Sequence, residues 1–150
     1  MAELLSPDRP EKLSVVVFSG DYDRVHYAMV MASAAAATDT AVTLFFTMEG
    51  TRALLTPEAE HIPAWATQPT STGMEMGADM DETFKDRGVA DFEMLLSACV
   101  ELGVRFMVCE MGLKAMGLMR GDLRPDVKFE VGGVVTFLND AQKDGAMIFI

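Results

Sequence analysis

Short apolar segments constrain the fold of this chain more than any other feature. Five of them occur, at 13–19 (LSVVVFS), 41–47 (AVTLFFT), 104–109 (VRFMVC), 127–131 (VKFEV) and 146–150 (AMIFI). Three are almost continuously apolar, which is typical of strands buried on both faces of a parallel sheet. The fourth alternates, with Lys128 and Glu130 between apolar residues, so we expect one wetter face and a place near a sheet edge.

Helical periodicity fills the stretches between these segments. Helices are predicted over 22–38, 89–102, 112–119 and 133–143. Strands that alternate with helices indicate βαβ units, a parallel sheet and, with right-handed crossovers, a three-layer α/β/α architecture. A length of 150 residues suits a single domain over 1–150.

The stretch 56–88 interrupts this alternation. It is rich in Pro, Thr, Gly and acidic residues, and it contains the only tryptophan, Trp65. A connection of this length in a compact domain is predicted to be a lid, a binding loop or an oligomer contact, with a mobile surface loop as the alternative.

The charge and the cysteine count exclude several classes of protein. A formal net charge of -11 argues against binding to nucleic acid or to an anionic membrane. Two cysteines are too few for a disulfide framework. The first residues lack the basic and apolar regions of a signal peptide, so a soluble cytoplasmic protein is expected. No motif predicts a cofactor, and two scattered histidines make a zinc site unfavourable.

The carboxyl ends of the predicted strands are where a site is expected, because ligands bind there in open α/β sheets. Candidate pocket residues follow the first three strands: Gly20 and Asp21 after the first, Thr47 and Glu49 after the second, and Met111, Gly112 and Lys114 after the third. Cys109 ends the third strand and is the candidate catalytic residue.

The two cysteines are predicted to differ in role. Cys99 lies on the apolar stripe of a helix, where it is expected to pack as a small hydrophobic residue. A helix that starts near Gly112 would favour the Cys109 thiolate, as would Lys114 or His26, whereas Glu110 would oppose it. The sequence leaves the sign of the net effect open.

Three stretches together resemble the DsrE/DsrF/DsrH sulfur-relay family, including its uncharacterised peroxiredoxin-like members. They are 15–54, which begins VVVFSGDYDR, 95–123, which contains VRFMVCEMGLKAMG, and 127–141, VKFEVGGVVTFLNDA. The resemblance implies a flavodoxin-like fold with a five-stranded sheet, and homo-oligomers that are trimers or hexamers. It also implies a persulfide on Cys109, exchanged with rhodanese-like and TusA-like proteins.

Two functional hypotheses follow. In the first, the protein is a sulfurtransferase or sulfur carrier that holds sulfur on Cys109 and passes it to an acceptor thiol. In the second, it is a non-catalytic module that binds a small anion or nucleotide, or an oligomeric scaffold. A thiol peroxidase has no support, because no arginine or threonine lies at a recognisable spacing from Cys109.

Overall fold

A five-stranded sheet forms the centre of residues 5–150, the part of the chain that the computed structural model describes. Its strands are β1 (Lys12–Val17), β2 (Ala41–Phe46), β3 (Arg105–Cys109), β4 (Phe129–Gly132) and β5 (Ala146–Phe149). The order across the sheet is β4-β3-β2-β1-β5, and all neighbouring pairs are parallel. The predicted α/β class and its five strands are confirmed, with strand ends shifted by at most two residues.

Five α-helices accompany the sheet. They are α1 (Tyr22–Ala37), α2 (Gly77–Asp86), α3 (Phe92–Glu101), α4 (Glu110–Ala115) and α5 (Val134–Asp140). The predicted helices over 89–102, 112–119 and 133–143 form, but all are shorter than expected, and α4 begins before Gly112. None of the helices between residues 5 and 150 combines the length and the apolar character that a membrane span requires.

The two faces of the sheet are covered unequally, because successive side chains of a strand point to opposite faces. The main core contains Val15, Leu44 and Val108 together with apolar residues of α1 and α3. The opposite face is covered by α5, whose Phe137 ring stacks 4.5 Å from that of Phe45. The helix lies there because the chain must return from β4 at one edge to β5 at the other, and a right-handed crossover in that direction passes the other face.

Charged side chains hold the carboxyl-terminal end of α5 near the amino ends of the strands. Asp140 at the end of α5 pairs with Lys12 at 3.1 Å and with Arg105, and it accepts a hydrogen bond from Thr43 at 2.6 Å. Burial alone would raise the pKa of Asp140, but the Thr43 hydrogen bond and the two cations outweigh it and leave the pKa below its usual range. These contacts fix the end of α5 over β1, β2 and β3.

Helix α2 is the element that the sequence analysis missed within 56–88, a stretch that also contains a 3₁₀ turn at Ala64–Thr67. It is anchored by a polar contact: the buried Asp81 carboxylate accepts hydrogen bonds from the Tyr22 hydroxyl and from the Phe92 backbone N–H. Burial and this carboxylate raise the pKa of Tyr22 well above its usual value. The apolar contacts of α2 come from two residues, Met80 and Phe84, which pack against the main core and are too few to stand out within the polar stretch 56–88.

Candidate functional site

Cys109 lies where β3 ends and α4 begins. Its Sγ accepts a hydrogen bond from the Gly112 backbone N–H at 3.4 Å, so that the thiol caps the first turn of α4. This cap is why α4 starts at Glu110 rather than near Gly112. The sequence-based position of Cys109, at a carboxyl strand end and beside a helix start, is the position that the structure has.

The Cys109 side chain is buried on the α5 face. It is 1 % exposed and belongs to a small apolar cluster with Phe45, Met107 and Phe137. We call these four residues the thiol cluster. Neighbouring Val108 points to the opposite face, into the main core. The thiol can therefore react with a bulky reagent only if the thiol cluster opens.

Gly112 brings the ends of β2 and β3 together. A Cβ atom at this position would lie 2.7 Å from Thr47 Oγ1 and 3.1 Å from the Met48 backbone nitrogen. The backbone of Met48 has a φ of 48°, in the left-handed region that residues other than glycine rarely adopt. Cys109, Gly112 and Thr47 thus lie close together at the carboxyl edge of the sheet.

Three residues of α4 that lie close to Cys109 in sequence, Glu110, Met111 and Lys114, point into solvent. Lys114 is exposed and lies 4.0 Å from the exposed carboxylate of Glu110, and the Met111 side chain is also exposed. The carboxylate of Glu110 therefore does not face the buried thiol, and Lys114 does not contact it.

A second part of the carboxyl edge surrounds a cavity. Gly20 and Glu49, two of the predicted pocket residues, line a cavity of about 830 Å³ together with Arg52 and the segment 62–69. We call it the edge cavity. Asp21 precedes α1 and pairs with Arg24 at 3.5 Å. Neither Cys109 nor Asp21 lines the edge cavity, so the predicted pocket residues divide between two places.

His26 and Cys99 both belong to the main-core side of the sheet. The imidazole of His26 is buried, where its Nε2 lies 2.8 Å from the Ala90 carbonyl oxygen and its ring packs 4.6 Å from Phe84. His26, which was considered as a group that would favour the Cys109 thiolate, therefore lies on the opposite side of the sheet from that thiol. Cys99 is fully buried in the main core, and burial raises the pKa of its thiol to about 12. Its predicted role as a packing residue fits this environment.

Two features of this region escaped sequence analysis. Gln68 lines the edge cavity although the neighbouring sequence gives no sign of it, because the cavity is assembled from segments far apart in the chain. The left-handed backbone of Met48 has no sequence signal either, since methionine does not favour that conformation. Within residues 5–150, no group of three His, Cys, Asp or Glu side chains could hold a metal ion.

Comparison with known proteins identifies the family of this chain. A family model described as the DsrE/DsrF/DrsH-like family matches residues 9–149. The chain belongs to this family. It is 29 % identical over 160 residues to the uncharacterised protein YrkE of Bacillus subtilis, with 95 % of this chain and 99 % of YrkE covered. It is 25 % identical over 158 residues to the sulfur carrier protein DsrE2 of Allochromatium vinosum, with 93 % and 98 % covered.

Two solved structures have the same fold. The protein MTH1491 of Methanobacterium thermoautotrophicum, of unknown function, aligns with a TM-score of 0.51 at 18 % identity, covering 93 % of this chain and 98 % of that one. The ychN protein of E. coli aligns with a TM-score of 0.57 at 12 % identity, with the same coverage. At these sequence identities, the two structures support the fold and nothing further. The resemblance of the sequence to the DsrE/DsrF/DsrH family is confirmed by the family match over residues 9–149.

Proposed function

We propose that this protein is a sulfur carrier that holds one sulfur atom as a persulfide on Cys109 and passes it to an acceptor thiol. The observation that carries the proposal is the position of Cys109 at the carboxyl end of β3, where its Sγ already accepts the Gly112 N–H. Membership of the DsrE/DsrF/DrsH-like family and the name of the DsrE2 relative support it.

The chemistry is an exchange of one sulfur–sulfur bond for another. The Cys109 thiolate attacks the outer sulfur of a donor persulfide, R–S–SH, whose S–S bond breaks as R–S⁻ leaves with the electron pair. The product is Cys109–S–SH. An acceptor thiolate then attacks the outer sulfur and releases the Cys109 thiolate, so that no external oxidant or reductant is consumed. The N–H of Gly112 stabilises the sulfur anion at both steps.

Burial of Cys109 shapes how this carrier works. A thiol that is 1 % exposed is protected from adventitious oxidation, and transfer requires the thiol cluster to open toward the donor. Thr47 and Met48 lie beside Gly112 at this point of the edge, and Met111 and Lys114 are exposed outside it. Such a carrier would work in the cytoplasm with rhodanese-like and TusA-like proteins as donors and acceptors, because thiols are kept reduced there.

The test is sulfur loading followed by intact mass. We expect the wild-type protein to gain the mass of one sulfur atom after incubation with cysteine persulfide. Cys109→Ser should lose this gain, because serine cannot form the S–S bond. Cys99→Ala is the matched control and should load like the wild type, since Cys99 is enclosed in the main core. No gain on the wild type, or a gain that Cys109→Ser retains, contradicts the proposal.

We further propose that copies of this chain associate through the α5 face. Apolar side chains stand exposed there, namely Val135 and Leu138 on α5 and Met147 and Phe149 on β5. Exposed apolar groups in such number on one side of a small protein are typical of protein interfaces.

Light scattering tests this association. We expect a trimer or hexamer for the wild type, and monomers for the double variant Val135→Asp/Leu138→Asp. Val100→Asp, at an exposed position of α3, is the control. A monomeric wild type at micromolar concentration overturns this part.

A second function is favoured by one observation, the separation of Cys109 from the edge cavity. If the thiol serves only to pack the α5 face, the protein is a non-catalytic binding or scaffold module. The loading experiment separates the two functions, because a binding module gains no sulfur on Cys109.

A further inference from the structure

Thr47 and Cys109 stand at the ends of two neighbouring strands and on the same face of the sheet. β2 and β3 pair in register as far as Phe46 and Val108, and both of these side chains belong to the main core. The next residues are Thr47, whose backbone is still extended, and Cys109, so both side chains turn to the opposite face. Thr47 is therefore the cross-strand neighbour of the thiol.

The Thr47 hydroxyl and the Cys109 side chain both border Gly112. A Cβ atom at Gly112 would lie 2.7 Å from Thr47 Oγ1 and 3.3 Å from Cys109 Cβ. Any larger residue would press on the Thr47 hydroxyl, so glycine keeps the hydroxyl and the thiol side by side. The Gly112 N–H donates to Cys109 Sγ at 3.4 Å, which leaves the Thr47 hydroxyl as a second donor at this point of the edge.

The Thr47 hydroxyl is not used by the rest of the fold. Thr47 is 8 % exposed, and within residues 5–150 its Oγ1 forms no hydrogen bond, whereas Thr43 on the same strand donates to Asp140. Thr51 Oγ1 also lacks a partner, but it is enclosed by the protein, and Thr47 Oγ1 is not. A group that arrives at the carboxyl edge can therefore meet the Thr47 hydroxyl.

A persulfide reaches further toward this hydroxyl than the thiol does. In the unloaded protein, the hydrogen bond to Cys109 Sγ from within residues 5–150 comes from Gly112, and Thr47 makes none. A persulfide places a second sulfur about 2 Å beyond Sγ. When it is ionised, this outer sulfur carries the negative charge, and hydrogen bonds to a charged acceptor are stronger than those to a neutral one.

The surroundings of Cys109 favour an outer sulfur that turns toward Thr47. Phe45, Met107 and Phe137 pack around the thiol, and an apolar environment of this kind opposes a charged sulfur. Lys114 is exposed and lies beside the Glu110 carboxylate, so it does not supply the missing stabilisation. The polar groups next to the thiol are the Gly112 N–H and the Thr47 hydroxyl.

We infer that the Thr47 hydroxyl donates a hydrogen bond to the outer sulfur of the Cys109 persulfide and so stabilises the loaded protein relative to the free thiol. This inference rests on the proposed sulfur-carrier function and adds to it a residue that distinguishes the loaded from the unloaded state. The hydroxyl keeps its proton throughout, so the exchange of sulfur–sulfur bonds is unchanged. The Gly112 N–H remains the donor to the inner sulfur.

The test is the loading equilibrium at a fixed ratio of cysteine persulfide to cysteine, measured by intact mass. Thr47→Val keeps the shape of the side chain and removes the hydroxyl, so we expect its equilibrium constant for loading to fall about tenfold or more. Thr47→Ser keeps a hydroxyl and should load like the wild type. Thr51→Val is the matched control, because it removes an enclosed hydroxyl without a partner, and it should also load like the wild type.

Alkylation of the unloaded protein separates this role from a structural one. Since Thr47 makes no hydrogen bond to the free thiol, iodoacetamide should modify Cys109 at the same rate in Thr47→Val and in the wild type. The inference is overturned if Thr47→Val loads to the wild-type extent, if Thr47→Ser loads as poorly as Thr47→Val, or if alkylation of Thr47→Val slows as much as loading weakens. Those outcomes leave the sulfur-carrier function standing, whereas a wild type that gains no sulfur overturns both.

Discussion

Phe137→Ala is expected to expose the Cys109 thiol and to destabilise the fold by about 3–5 kcal/mol. Phe137 is 2 % exposed, and its ring stacks on Phe45 within the thiol cluster. Removing the ring leaves a void directly in the cluster that covers Cys109. Because each 1.4 kcal/mol or so changes an opening equilibrium tenfold, thiol labelling should become roughly tenfold faster or more. Labelling with a maleimide, followed by peptide mass mapping, measures the rate at each cysteine.

Two controls show whether the effect is local. Cys99 reports on the main core and should stay unlabelled in Phe137→Ala, since the void lies on the opposite face. Asn139→Ala removes an exposed side chain from the same helix and should alter neither stability nor labelling. If Phe137→Ala labels Cys109 at the wild-type rate, α5 does not control access to the thiol.

Gly50→Ala is expected to destabilise the protein by about 3 kcal/mol or more, at the upper end of overpacking effects. A Cβ atom at Gly50 would lie 2.2 Å from the Val17 carbonyl oxygen and 2.8 Å from its carbon. Those atoms belong to the backbone of β1, which is paired on both sides and cannot move. The Gly50 N–H also donates to the Phe18 oxygen at 3.0 Å, and this bond lengthens if the turn shifts. The unfolding midpoint should fall by roughly 6–12 °C.

Gly121→Ala is the matched control for this change. A Cβ atom at Gly121 meets nothing within 4 Å, and neither glycine has a left-handed backbone. Any difference between the two variants therefore comes from the contact with β1. Chemical denaturation of both proteins measures it, and a Gly50→Ala protein within about 1 kcal/mol of the wild type would disprove the close packing of this turn on β1.

The sheet could be predicted from sequence because most of its strands are short runs of consecutive apolar residues. A run such as AVTLFFT is apolar on both faces since both faces of β2 are buried, and this burial leaves its mark on consecutive residues. The position of Cys109 followed from the same logic, as the last residue of such a run. Chain order and glycine positions were enough to bring Thr47 and Gly112 to the same edge.

Features that depend on contacts between distant segments could not be predicted. Helix α2 is held by Asp81, which accepts a hydrogen bond from Tyr22, 59 residues away, and by Met80 and Phe84, which pack on the main core. Two apolar residues in a polar stretch leave no clear periodic pattern. Burial of Cys109 depends on Phe137 of α5, an element whose place on the opposite face follows from the strand order. The edge cavity likewise joins Gly20, Gln68 and Asp122, so that no local pattern could have revealed it.

The most direct test of the central claim is the mass of the loaded protein before and after an acceptor thiol is added. Protein that has gained one sulfur atom from cysteine persulfide is freed of donor and mixed with an excess of a small thiol. We expect peptide mapping of the loaded protein to place the added sulfur on Cys109. After the acceptor is added, we expect the protein mass to return to its starting value while the persulfide of the acceptor appears. Sulfur that stays on the protein, or that maps to Cys99, would contradict the central claim.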